Sequence, residues 1–269
     1  MSGGYVELSV AQVALAALLI VVNGAISIAL RLGLERSLFI ASVRTVVQLL
    51  LIGFVLEWVF QVERWYVVLA MAAIMTLVAG LTAAERNPRR YPGIWLNTLL
   101  SVWISAWLVT GFALLVVVRG DGSWYHPQYA IPLLGMVLGN TLNGISLGLS
   151  SFTDALVSQR ERVEATLALG GTRWEAARPI VRHAVRTGMV PVINSMMVVG
   201  IVSLPGMMTG QLVSGMAPIE AVKYQIVIMF LIAAATAMGT VGVVLLSYWR
   251  LFSADHQFVF SRIDASRDE

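Results

Sequence analysis

Long apolar runs alternate with short polar breaks along the chain, and the repeat length matches a bilayer rather than a soluble core. A run of about 20 apolar residues covers ~30 Å of hydrocarbon at ~1.5 Å per residue. On that measure the pattern predicts seven membrane helices, over residues 8–30, 38–60, 65–84, 94–118, 130–152, 188–204 and 221–249. One stretch departs from it. Residues 158–186 carry too many charges to span, yet Val163, Leu167, Ala168, Trp174 and Ala177 return to one face with helical spacing. This stretch is expected as a helical hairpin or interfacial helix outside the bilayer. The tail, 253–269, reads as short, polar and mobile. The fold class expected is all-α, a single polytopic helix bundle over 1–269.

The basic residues orient the bundle. Arg31 and Arg36 follow the first span, Arg86, Arg89 and Arg90 the third. Arg160, Arg162, Arg173, Arg178, Arg182 and Arg186 lie in the long polar stretch, and Arg250, Arg262 and Arg267 follow the last span. Only Arg64, Arg119 and Lys223 fall on the opposite side. By the positive-inside tendency the first group is cytoplasmic, which places the N-terminus outside and the C-terminus inside. Trp58, Trp65, Trp124 and Tyr125 fall near outer span ends, as an interfacial aromatic belt requires. Met1 to Glu7 has no basic segment and no cleavage site after a short apolar run, so the first span is expected to be retained.

Composition agrees, with 58% hydrophobic and only 12% charged residues, outside the soluble range. With no cysteine, disulfides and thiolate metal sites are excluded. The small basic excess is spread over loops rather than set along one stripe, so nucleic acid is not an expected partner; the lipid bilayer is. His126, His183 and His256 fall in loops or the tail, leaving no basis for a catalytic site. A phosphate-binding loop needs a lysine after glycine, and the one lysine, Lys223, follows Val222. The chain is therefore expected to hold no nucleotide by that motif.

Within 158–186 stands Glu164-Ala165-Thr166-Leu167-Ala168-Leu169-Gly170-Gly171-Thr172, a helix, a glycine break and the start of a second helix. Such a knob can fill a groove on another protein. The run resembles the coupling loop of bacterial ABC permeases at Glu164, Ala165, Gly170 and Ile180, departing from it at Thr166 and at Arg182-His183. Four further segments widen the likeness: Arg44-Thr45-Val46-Val47-Gln48-Leu49, Asn87-Pro88, Gly139-Asn140-Thr141-Leu142-Asn143, and Ser203-Leu204-Pro205-Gly206-Met207-Met208-Thr209-Gly210-Gln211. Together these resemble the FetB-type iron-export permease family, which includes plant aluminium-tolerance permeases, over residues 20–252. The resemblance implies a multi-pass permease domain of the bacterial inner membrane that acts as a homodimer. It implies a separate cytoplasmic ABC ATPase carrying ATP and Mg, no cofactor on this chain, and iron as cargo. It assigns contact with the ATPase to Glu164, Ala165, Leu169, Gly170, Gly171 and Thr172.

Polar residues inside the spans are candidates for a translocation path or gate. Arg44 lies about two turns into the second span, with Gln48 one turn deeper on the same face. An arginine repels a bare cation, so Arg44 suits a gate, a structural pair or an anionic cargo, or it snorkels to the interface. Asn140 and Asn143, like Asn23 and Asn97, serve either a path or hydrogen bonding between helices. Gly135 with Gly139, and Gly144 with Gly148, allow close helix approach. Pro205 must break its helix, which puts Pro205, Met207, Met208 and Gln211 at a path or outer gate. Met196, Met197 and Met216 are either soft metal ligands or apolar filler. No metal-binding residue is assigned. The alternatives are a stand-alone secondary transporter and an ABC permease for an organic or anionic substrate.

Overall fold

The computed structural model describes residues 9–117 and 125–263, and these are almost entirely helical. In chain order the helices are α1 (Val10–Ala29), α2 (Glu35–Val62), α3 (Trp65–Glu85), α4 (Ile94–Phe112), α5 (Pro127–Ser158), α6 (Arg160–Ala168), α7 (Arg173–Val198), α8 (Gly206–Val213) and α9 (Pro218–Leu251). A π-helical turn, Ala113–Val117, extends α4. Residue 8, Val118, Arg119, Trp124, Arg267 and the Met1 to Glu7 segment, all used in the sequence reading, lie outside the described residues.

Six helices among the described residues are long and apolar enough to cross a membrane: α1, α2, α3, α4 with its π turn, α5 and α9. The seventh expected span, 188–204, is not a separate helix. It begins as the second half of α7, which runs unbroken from Arg173 through Gly188 to Val198. The charged first half of α7 lowers the hydropathy of the whole. Thr187 and Gly188 offer no break, because a helix already nucleated extends at little cost. The remainder of the expected span turns back on itself. Gly200 adopts φ +83°, Val202 and Ser203 donate backbone hydrogen bonds to the Val198 carbonyl, and α8 starts after Pro205. The expected helix break near Pro205 is therefore present.

The core is a bundle of α3, α4, α5, α7 and α9, with α5 in the centre. Three helices approach so closely there that a methyl group at any of three glycines would clash. A Cβ on Gly188 would sit 2.6 Å from the Gly144 carbonyl oxygen, and one on Gly148 2.6 Å from the Thr240 methyl. The expected Gly144 and Gly148 pair thus packs α5 against α7 and α9. Gly139 of the other pair faces open space.

The helix ends that carry the arginines converge. Arg89 pairs with Asp154 at 2.8 Å, joining the α3–α4 loop to α5. The Tyr91 hydroxyl lies 2.7 Å from Ser247 Oγ on α9 and accepts from Asn97 Nδ2 at 3.1 Å. Thr153 donates to Asn87 Oδ1 at 3.3 Å. Asn97 is thus an interhelical tie, buried to 3% exposure. This polar knot defines one basic end of the bundle.

The tail is not loose over its described part. Phe252 pairs with Phe258 in a short antiparallel bridge, Arg262 donates to the Arg250 carbonyl at 2.6 Å, and Ile263 is buried. Its polar composition hid three phenylalanines, Phe252, Phe258 and Phe260, that need cover. By contrast, α1 and α2 stand apart as a hairpin closed by Ser27, which donates to Glu35 at 2.9 Å and accepts from the Leu34 N–H at 3.0 Å. Near its outer end α2 meets the bundle through Val59, which packs with Val68, Ala130 and Ile131.

The close approach of α5, α7 and α9 predicts that Gly188→Ala lowers stability by about 1–3 kcal/mol, the usual cost of overpacking. Gly139→Ala should be neutral. Thermal unfolding of the two variants in detergent separates them.

Candidate coupling knob and polar face

The knob is built by two helix caps set back to back. The α6 helix ends when Gly170 turns to φ +86°; Gly170 N–H donates to the Leu167 carbonyl and Gly171 N–H to the Thr166 carbonyl, both at 3.0 Å. This is the Schellman pattern, and it requires glycine at the positive-φ position. At Gly171 even a methyl group is excluded, since a Cβ would lie 2.8 Å from the Thr166 carbonyl oxygen. One residue on, Thr172 caps α7. Its hydroxyl accepts from the Glu175 N–H at 3.2 Å, while the Glu175 carboxylate accepts from the Thr172 N–H at 2.7 Å and from its hydroxyl at 2.8 Å. The backbone hydrogen bond from Thr172, then that from its hydroxyl, holds the exposed Glu175 carboxyl below the ordinary carboxylate range.

The six residues assigned to contact are brought together at this turn. Glu164 is exposed and paired with Arg160 at 2.6 Å. Ala165, Gly170 and Thr172 are exposed, and Gly171 is half-buried against its own turn. Leu169 sits at the tip with 89% of its surface exposed. A large aliphatic side chain so presented, on a turn capped on both sides, has no core to cover it.

Sequence reasoning missed what holds the knob to the bundle. Arg173 donates through its backbone N–H to His256 Nδ1 at 3.1 Å and through Nη1 to the Ser253 carbonyl at 2.9 Å. The Arg160 guanidinium lies 4.2 Å over the Phe260 ring. Trp174 meets Tyr248 edge-on at 5.5 Å, and the ring series continues through Phe252, Phe258 and Phe260. The tail therefore grips the first residue of both helices flanking the knob. The aromatic spacing in the tail was the available signal.

The path candidates divide into three places, and no hydrogen bond or ion pair joins those places within the described residues. On α5, Asn143 accepts from Arg86 Nη1 at 2.8 Å, and Asn140 donates to the Met136 carbonyl at 2.8 Å. On α2, Arg44 and Gln48 are exposed and share a face with Val55 and Val59, the face that packs on the bundle farther out. Pro205, Met207, Met208 and Gln211 cluster at the far end of α7 from the knob. Met208 is buried, while Gln211 Oε1 is buried without a hydrogen bond. No group of three or more His, Asp or Glu side chains able to hold a metal ion occurs among the described residues.

One contrast organises these positions. The outer faces of α3, α4 and α9 expose Ile74, Leu77, Trp103, Ile104, Phe230 and Val241, residues suited to lipid. The central helices α5 and α7 also expose apolar residues such as Leu147, Val190 and Ile193, but among these stand exposed Asn140, Asn143, Asn194 and Ser195.

Against known proteins, a family model described as "Uncharacterised protein family (UPF0014)" matches residues 10–252. The chain belongs to the UPF0014 family. A UPF0014 membrane protein, slr1647 of Synechocystis, is 39% identical over 232 residues, covering 85% of this chain and 88% of that one. The "Probable iron export permease protein FetB" of Escherichia coli is 28% identical over 252 residues, covering 94% and 95%. The "Protein ALUMINUM SENSITIVE 3" of Arabidopsis thaliana is 32% identical over 243 residues, covering 90% and 87%. No solved structure matches the chain. This UPF0014 member is thus a multi-pass membrane protein, as its apolar helices and its relatives' names agree.

Removing residues 254–269 from this UPF0014 protein should free the knob. Amide hydrogen exchange over 160–176 is expected to rise while that of α5 and α9 stays unchanged. Because the folded Glu175 carboxyl lies below its unfolded value, its cap is present above the ordinary carboxylate range and is lost as pH falls through the depressed value. Exchange at Thr172 to Ala176, corrected for intrinsic rate, should rise across that window in the wild type. In Thr172→Ala the rise should come at higher pH.

Proposed function

We propose that this chain is the membrane-spanning permease subunit of an ATP-driven ABC transporter that exports iron, working as a homodimer with a separate cytoplasmic ATPase. The observation that carries the reading is Leu169, 89% exposed at the tip of the doubly capped knob. An apolar anchor on a rigid turn is the arrangement a groove on a partner protein recognises. The gathering of arginines at that end supports a cytoplasmic position for it. Iron as cargo is supported by the name of the Escherichia coli relative.

The geometry supplies a route for coupling. Helix α7 begins at the knob and runs 26 residues to the turn before α8, about 39 Å at the helical rise. Movement of the knob on ATP-driven closure of the ATPase is carried along α7 to Pro205, Met207, Met208 and Gln211 at the other end. The exposed polar face of α5 and α7 then lines the path between two copies, with Arg44 and Gln48 of α2 at its edge. For the ATPase to drive this motion, its two states must differ in their contacts with the knob. A second reading, an organic or anionic cargo, is favoured by Arg44, a guanidinium that has no carboxylate partner among the described residues.

The test is reconstitution with the candidate ATPase in lipid nanodiscs, measuring ATP hydrolysis with and without ferrous iron. Leu169→Asp should weaken assembly with the ATPase by at least about tenfold, the loss expected of an apolar anchor. Glu164→Arg, which sets two arginines against each other at Arg160, and Gly170→Pro should abolish stimulated hydrolysis without preventing insertion. Normal stimulation in all three variants would refute the coupling role. A stable, mutant-sensitive complex with no iron response would keep the permease and exclude the cargo. Failure to bind any ATPase would favour a stand-alone transporter.

A further inference from the structure

On the inner half of α7, Arg178, Arg182 and Arg186 repeat every four residues and stack on one face, with Pro179 and His183 beside them. All five are exposed and line a cavity of about 310 Å³. None of the three guanidiniums has a carboxylate partner among the described residues. Asp154 is taken by Arg89, Glu164 by Arg160 and Glu220 by Lys223, and Glu175 is committed to the α7 cap.

Their depth is set by neighbouring residues. Trp174, stacked edge-on against Tyr248, stands with Trp95 and Trp249 at the basic end, a band of partly exposed tryptophans of the kind found at a membrane interface. Along α7, Arg178 lies about 6 Å inward of Trp174, Arg182 about 12 Å and Arg186 about 18 Å. The Thr187 hydroxyl, next to Arg186, lies 3.5 Å from Ser151 on α5, one turn inside the Arg89 and Asp154 pair. Side chains on a helix tilt toward its N-terminus, which on α7 is the Trp174 side. A side chain that follows this tilt carries the two deeper guanidiniums back toward the interface.

We propose that this face of α7 binds the phosphodiester headgroup of an anionic lipid in the leaflet at the basic end. Guanidinium forks match phosphate oxygens, and the membrane edge is where such groups stand. A second copy related by a two-fold axis would bring an identical basic stripe toward this one, adding repulsion rather than cover. The proposal does not depend on what the protein transports.

Native mass spectrometry after incubation with mixed phosphatidylcholine and phosphatidylglycerol vesicles tests it. Wild type should retain phosphatidylglycerol preferentially. Arg182→Gln with Arg186→Gln should reduce that retention by about tenfold or more, as expected for lost charge-assisted hydrogen bonds. Retention of phosphatidylcholine and melting in phosphatidylcholine alone should not change, and Arg162→Gln on α6 should behave as wild type. If the double variant does not insert, Arg178→Gln supplies the same comparison with a smaller loss. Equal phosphatidylglycerol retention in wild type and variants would overturn the proposal. So would a loss of dimer with retention unchanged, which would assign the stripe to a second copy. Inorganic phosphate raising the melting temperature as much as phosphatidylglycerol does would assign it to a soluble anion instead.

Discussion

Hydrocarbon accepts no hydrogen bonds and solvates no charge, so each polar group in a spanning helix must be partnered inside the protein, reach an interface, or line a covered surface. That constraint sorts the polar residues of this chain. Asn97, Tyr91, Ser247, Asn87 and Thr153 take the first course and tie four segments into one end of the bundle. On the lipid-binding face proposed for α7, Arg178, Arg182 and Arg186 take the second, since the helix direction tilts their side chains back toward Trp174. Asn194 and Ser195 are exposed on the central helix α7 and suit the third, while the exposed Asn140 and Asn143 of α5 are bonded to the Met136 carbonyl and to Arg86.

Close packing at the centre makes that division possible. With glycine at 144, 148 and 188 and threonine at 240, α5, α7 and α9 touch almost backbone to backbone. Lipid-phase association has little hydrophobic drive, so small residues and tight contact supply the cohesion. Helices held this closely move as a unit, which suits α7 to join the knob at one end to the broken segment at the other. The α1–α2 hairpin lacks such contacts, and it is also where Arg44 and Gln48 remain uncovered.

The knob follows a different logic. Its shape comes from saturating backbone groups at two adjoining helix ends: Gly170 and Gly171 close α6, and Thr172 with Glu175 opens α7. Caps of this kind contribute about 0.5–2 kcal/mol each, enough to fix a turn of this size but not to anchor it. Anchoring falls to the tail, through Ser253, His256 and Phe260. Rigidity and attachment of the knob are thus supplied by two separate parts of the chain.

By itself the sequence determined the features that rest on local periodicity and composition. These were the all-α membrane bundle, the extent of most spans, the break near Pro205, the glycine turn of the knob and the family likeness. It cut one helix in two because hydropathy averages over a window: the apolar second half of α7 was separated from its charged first half, although the backbone passes through Gly188 without interruption. It took the tail for a mobile end because Phe252, Phe258 and Phe260 are diluted by polar neighbours, and only packing against Tyr248 and Trp174 reveals their use. Which asparagine serves structure was also undecidable from sequence, since Asn97, Asn140 and Asn143 look alike in a span. Tertiary structure decided it by burying Asn97 against Tyr91 and bonding Asn143 to Arg86, while Asn140 turns back to the Met136 carbonyl of its own helix. A helix carries its period in its own sequence, but the neighbour that will cover each face is set by segments distant along the chain.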